Sequence, residues 1–485
     1  MRKYAILCIA FVLLFFALAL NNEFEMLGDT QDYLSMSQSF LEGKPLENPS
    51  RPYYLPLIMH PPLYSAALAV FFAVFGFSYA GAKIVTMFFA LASMLAMYLL
   101  LERIGAKHKG LIFAAYSTSI VFLFQSHRIL SDTLFMALFL AATIFILEYS
   151  KKEKLLDISG IAAGVLLAAS FYARVSAGFF LIAIFAYFFF RKEYRKAVLI
   201  AAIFAVLVLP WIAFYANHQF LQPQGIEQPS SYLNWANDTW DSSGGGPATI
   251  AIRFFTNVFY YIAEGIPKAL VPILLPAFFF LRNTMAMPLL LLAGLAVFWV
   301  FGKELFRKMK SLFGLYIIIY IIIFSIQPAL DNVVFVDRYL FALFPFLLIL
   351  GADALENSTV LKKFAKPIII ALILVGAVLS IGYAVTLEQR MLNEKYVGVR
   401  EAIAYIGENA DDNEIVVFES PIHLYLNAGN KAVPTPELGE DAGATYAIID
   451  GFSGYGENDL DGFVKVFESG NGSAAVYRKT KLHRQ

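Results

Sequence analysis

Long apolar runs, repeated along the whole chain, constrain this sequence more than any other feature. They fall near residues 4–20, 80–101, 111–125, 133–149, 158–172, 176–190, 197–216, 286–302, 312–327, 339–351 and 367–386. Two shorter, Pro-flanked runs, 61–76 and 266–281, either cross a bilayer or lie in its interface. Hydrophobic residues make up 59% of the 485 positions and charged residues 15%. A water-soluble fold cannot hide that much apolar surface, so lipid is the solvent for most of the chain. Backbone polar groups in lipid must pair internally, which predicts an α-helical polytopic membrane protein of 11–13 transmembrane helices. The single cysteine, Cys8, rules out an internal disulfide. Ala17-Leu18-Ala19 offers a signal-peptidase site as the alternative to a retained first span.

Loop charge sets the expected orientation. The stretches ERIGAKHKG, SKKEK, RKEYRK, KELFRKMK and LKKFAK alternate with connections poor in Lys and Arg. By the positive-inside rule they are cytoplasmic, together with the N-terminus. The segments 21–60, 126–132, 217–250 and 328–338 are then external, as is everything after 387. There the composition changes: Asn, Asp, Glu and Gly cluster over 391–485. EAIAYIGENA reads as a short amphipathic helix, and EIVVFES, TYAIIDG and SAAVYRK read as strands. The expected division is therefore 1–390 as the membrane domain and 391–485 as a small external α/β domain.

The first external segment gathers acids in a chain that has few: Glu23, Glu25, Asp29, Asp32, Glu42 and Glu47. From Asp29 the spacing of Tyr33, Leu34, Met36, Phe40 and Leu41 predicts an amphipathic helix on the membrane surface, stopped by Gly43. Asp29 is either the cap of that helix or a group with chemistry to perform. Asp32 is a capping-box partner or a fallback base. Arg51-Pro-Tyr-Tyr and His60-Pro-Pro-Leu-Tyr64 follow, leading into an apolar run that closes at Gly76.

This order of Asp29, Tyr33, Gly43, PPLY and Gly76 resembles the opening of the dolichyl-phosphate-mannose–protein mannosyltransferase superfamily. These are glycosyltransferases of the GT-C type, and lipid A aminoarabinose transferases are among their relatives. RILSDTLF (128–135), FYARVSAGF (171–179) and DRYLFALFPFLLIL (337–350) extend the resemblance over nearly the whole chain. The resemblance implies a GT-C fold and transfer of a sugar, with inversion, from a polyprenyl-phosphate donor to an external protein, lipid or glycan hydroxyl. The family's catalytic aspartate maps onto Asp29. Where the family commonly has Lys before the Pro-Pro pair, this chain has His60.

Elementary chemistry agrees with that mapping. A hydroxyl attacks an anomeric carbon poorly unless a carboxylate takes its proton. The departing phosphate needs cations rather than a partner acid. External candidates are Arg51, His60, Arg128, Arg174, Lys268 and Arg338, each with the alternative of a snorkelling side chain at the interface. Arg174 and Arg338 lie among apolar residues, where a charge is costly. Asp132 either caps its helix with Ser131, pairs with Arg128 or positions the acceptor. Tyr33, Tyr64 and Tyr339 are candidate cavity walls. Trp235 and Trp240, in the long loop 218–249 with its Gly244-Gly245-Gly246 run, suit stacking on a sugar under a mobile lid.

No Gly-rich phosphate loop, GxGxxG turn, HExxH or Cys/His ligand spacing occurs. No cofactor is required with certainty, although the chemistry leaves room for a divalent metal whose ligands the sequence does not name. The expected partners are the lipid-linked donor, the acceptor and membrane lipid, not nucleic acid. The alternative function is a transporter or flippase of a lipid-linked or small polar solute. It is disfavoured because ionisable groups crowd the outer boundary instead of the middle of spans.

Overall fold

The structure is a computed structural model. It describes residues 2–22, 28–44, 46–52, 57, 60–218, 247–281, 284–326, 338–386, 388–411, 413–418, 420–433, 443–450, 456, 459–460 and 462–480. The chain forms two compact units. The first comprises Met1–Leu20, Lys83–Ile212 and Tyr232–Ala384; the second comprises Asn21–Ala82, Ala213–Ser231 and Val385–Gln485.

The first unit is helical. Among the described residues, five helices are long and apolar enough to cross a bilayer: Tyr79–Arg103, Asp132–Tyr149, Tyr194–His218, Met287–Arg307 and Lys362–Val385. Shorter apolar helices are Lys3–Ala19, Leu63–Phe75, Ile158–Ala173, Val175–Phe190 and Leu312–Phe324. Several runs expected to be continuous are broken. Residues 111–125 divide at Ser119, whose extended backbone and hydroxyl cap the helix Ile120–Ser126 through Val121 N–H. Residues 266–281 divide after Leu270, where Pro272 cannot continue the helical ladder. Lipid gives helices no hydrophobic reason to associate, so close packing must hold them. Gly160 and Gly164 permit it: a Cβ at Gly160 would lie 2.8 Å from the Tyr149 ring, and one at Gly164 would lie 2.8 Å from Ile203. Aromatic edges fill the interior around Tyr316, whose ring centroid lies 4.8 Å from Phe180 and 5.2 Å from Phe139.

The second unit contains the sheet. Strands β1 (Val416–Val417), β2 (Ala432–Val433), β3 (Tyr446–Asp450), β4 (Phe463–Glu468) and β5 (Ala474–Lys479) run in the order β2-β1-β3-β5-β4. Pairings on either side of β1 are parallel, and β3–β5 and β5–β4 are antiparallel. The three expected strands are present. The two not foreseen are β2, too short to show a period, and β4, whose residues are largely solvated. The expected helix 401–410 is the end of a longer one, Glu388–Asn409. Its Val399, Ala402, Ile403 and Ile406 are buried at helical spacing, while Val417, Val433, Ala447 and Tyr477 are buried in a core of the sheet. The same unit contains the helix Gly28–Leu41 and the helix Leu63–Phe75, which closes at Gly76 as expected.

Candidate active site

Helix Gly28–Leu41 packs on more than one side: Tyr33, Leu34 and Met36 are buried together with Thr30, Ser35, Ser37 and Ser39. Gly43 ends it with φ +67°, a conformation only glycine adopts without strain, and its N–H bonds to Phe40 O at 3.2 Å. Asp29 lies in the first turn, after Gly28, so the cap alternative is corrected: the carboxylate sits within the helix. An acid there is favoured by the exposed N–H groups of a helix start. Asp32 follows one turn later, about 60° around the axis. The two carboxylates thus share a face, and each side chain is about one-third exposed (34% and 36%).

His60 completes the cluster. It immediately precedes Pro61-Pro62, where Pro62 takes the cap position of helix Leu63–Phe75. Its Nε2 lies 3.3 Å from Asp32 Oδ2 and 3.7 Å from Asp29 Oδ1. Tyr33 lies under the imidazole with centroids 4.8 Å apart, and Tyr64 meets Tyr33 edge-on at 5.0 Å. Both tyrosines are fully buried. They are the packed floor of the acidic cluster and not exposed cavity walls. Arg51, half-buried, follows a turn in which Asn48 Oδ1 accepts from Ser50 N–H and Ser50 Oγ at 3.1 and 2.7 Å.

In the first unit a second acid–base contact forms. Asp132, in the first turn of helix Asp132–Tyr149, is ion-paired with Arg174, which joins helix Ile158–Ala173 to the 3-10 turn Val175–Phe179. The Asp132 side chain is only 2% exposed and that of Arg174 is 19% exposed. Ser131 holds the cap position without a side-chain cap bond, which corrects the shared-capping alternative. No local pattern foreshadows the Arg174 partnership, because the two residues are 42 positions apart. The hydroxyl of Tyr316 is buried without a hydrogen-bond partner among the described residues, and Arg174 acts on it electrostatically. The Arg128 guanidinium lies over the Phe124 ring at 4.1 Å. Lys268 is ion-paired with Glu264 and faces the rings of Tyr260 and Phe278 at 5.6 and 5.3 Å. Trp235 and Trp240, and the side chains of Arg338 and Tyr339, lie outside the described residues.

Among the described residues, no three or more His, Cys, Asp or Glu side chains are placed to hold a metal ion. Asp29, Asp32 and His60 offer suitable atoms, but the imidazole contacts the acids directly. No step is therefore assigned to a metal. A cavity of about 350 Å³ in the first unit is lined by apolar residues including Leu270, Val297, Phe301, Leu348, Leu355 and Ile369. It offers no charge to a sugar phosphate.

With the geometry in place, comparison with known proteins is informative. The fold is that of the GT-C superfamily. Residues 59–214 match the family model of dolichyl-phosphate-mannose-protein mannosyltransferase. ArnT from Cupriavidus metallidurans bound to undecaprenyl phosphate superposes with a TM-score of 0.64 at 12% identity, covering 99% of each chain. The archaeal oligosaccharyltransferase AglB from Archaeoglobus fulgidus, in complex with an inhibitory peptide and a dolichol-phosphate, gives a TM-score of 0.58 at 13% identity. That match covers 100% of this chain and 75% of AglB. Arabinofuranosyltransferase AftD from Mycobacteria gives 0.53 at 12% identity over 99% of this chain and 40% of its own. No curated protein matches the chain by sequence. The family-model match covers a minority of the chain, residues 59–214, and the structural likenesses establish its fold.

Proposed function

We propose that this protein transfers a sugar from a polyprenyl-phosphate-linked donor to an acceptor hydroxyl on the outer face of a membrane, with inversion. The observation that carries the reading is the partly exposed pair Asp29 and Asp32, one turn apart on one helix and in contact with His60. Asp29 is the general base. The acceptor O–H gives its proton to the Asp29 carboxylate as its oxygen bonds to C1. The C1–O bond to phosphate breaks, and its electron pair leaves with the polyprenyl phosphate. A phosphate leaves without acid assistance, so one base suffices.

The imidazole of His60 lies nearer Asp32 than Asp29. Cations hold the developing phosphate charge. Arg174, fixed by Asp132, and Arg128 are candidates for that role. Arg51 and the side chain of Arg338 are further candidates. Lys268 is the weakest, since Glu264 already offsets it. The GT-C relatives whose structures contain undecaprenyl phosphate or dolichol-phosphate support a lipid-borne donor. Loop charge supports a cytoplasmic N-terminus and an external C-terminal domain.

The test is a transfer assay with the purified protein and a labelled polyprenyl-phosphate sugar. Asp29→Asn, folded and membrane-inserted, is expected to lose about 100- to 10,000-fold in rate. Transfer at the wild-type rate in that variant, or solute flux into proteoliposomes without product, overturns the reading.

A further inference from the structure

The C-terminal residues have no assigned role, yet within the second unit they grip the acid-bearing helix at both ends. At the acidic end, Gln31 lies between Asp29 and Asp32 in sequence but about 160° around the helix from Asp29. Its Nε2 donates to Ser420 Oγ at 3.0 Å. At the other end, Tyr425 Oη donates to Glu42 Oε1 at 2.7 Å. Burial opposes ionisation of Glu42, but hydrogen bonds from Gln38, Tyr425 and Lys44 outweigh it and hold the carboxyl below its ordinary range.

Both gripping residues belong to one short element. Ser420 precedes, and Tyr425 lies within, helix Pro421–Ala428. That element is itself anchored by a buried polar set. Asn427 Nδ2 donates to Tyr79 Oη at 2.9 Å and to His423 O at 2.6 Å. Tyr79 Oη lies 2.9 Å from His423 Nδ1, and the His423 side chain is fully buried. A third strap comes from the backbone: Ala432 N–H, at the start of β2, donates to Ser50 O at 2.9 Å. Helix Gly28–Leu41 is short, so contacts, not intrinsic helicity, must fix its position.

We propose that the C-terminal module is a clamp that sets the position of Asp29, with Gln31, Ser420 and Tyr425 as positioning residues. None of the three touches the reacting atoms. The inference rests on the reading of Asp29 as the base. A base displaced by a fraction of an ångström still binds its substrates but meets the attacking hydroxyl less often in line. The clamp therefore acts on turnover and not on affinity.

The full-length protein is tested with Gln31→Ala, Ser420→Ala, their combination, Tyr425→Phe and the conservative Ser420→Thr. The alanine variants are expected to lose about 10- to 100-fold in kcat with the donor KM unchanged. The combined variant should be no worse than either single one, because both remove one contact. Ser420→Thr should restore most of the rate. Hydrogen exchange of residues 28–41, measured with no sugar present, should accelerate in the alanine variants. Wild-type kcat in both single variants, multiplicative losses in the double, or unchanged exchange each overturn the clamp. If the wild-type protein transfers no lipid-linked sugar while exchange still accelerates, the contact stands and the catalytic reading of Asp29 falls.

Discussion

Two acid–base contacts in this molecule sit in opposite surroundings. Asp29 and Asp32, on one helix, meet His60 with about a third of each carboxylate exposed. Asp132 meets Arg174 almost wholly buried. The exposed acids can exchange protons with an arriving hydroxyl. The buried pair cannot be separated without stranding a charge, so it fixes geometry and field. Exposure, more than residue type, distinguishes the acid suited to proton transfer from the one suited to support.

Asp29→Asn and Asp132→Asn push the comparison hardest when run side by side. The first should abolish measurable transfer at an unchanged unfolding temperature; the second should lower the unfolding temperature whatever it does to rate. Equal thermal losses would erase the distinction. Next in size, truncating a partner of a buried pair costs about 3–5 kcal/mol, whereas exposed substitutions stay within about 0.5 kcal/mol. Asp132→Ala should therefore destabilise the protein by the larger amount in denaturant titration, and Asp29→Ala by the smaller. An Asp132→Ala/Arg174→Met double variant should recover much of the loss.

The smallest expected effect concerns Glu42. Its carboxyl is held below the ordinary range when folded, so its contribution is fully present above the unfolded pKa and is lost as pH falls through the folded one. Burial, and next its bond to Glu42, push the Tyr425 hydroxyl up to about 12, so Tyr425 stays a donor throughout the acid range. Tyr425→Phe should cost about 1.5 kcal/mol at neutral pH. The cost should shrink as pH falls through the folded Glu42 titration, monitored by exchange of residues 28–41. A cost that grows on acidification would contradict the assignment.

Much of the site helix was legible beforehand. Tyr33, Leu34 and Gly43 announced its face and its stop, whereas the shared side of Asp29 and Asp32 emerged from the structure. His60 was legible as a cation near a Pro-Pro boundary, but not as the neighbour of both acids. Tyr33 and Tyr64 were expected to line a cavity and instead form a buried floor, because aromatic character does not specify which side of a helix faces a partner. Gln31, Ser420 and Tyr425 carried no signal at all. Each is an ordinary polar residue whose meaning lies in a contact 383 or 389 positions away.

Local physics wrote what the sequence could determine alone: lipid as solvent, helices as the spanning element, and an acid-bearing helix outside the first span. Hydropathy, helical period and turn chemistry act over a few residues and need no partner to be read. Only the tertiary structure decided that Asp132 belongs to Arg174, that His60 leans on Asp32, and that the chain's last hundred residues hold its first helix after the membrane. Hydrogen bonds and ion pairs depend on distance in space, and distance along the chain does not predict it.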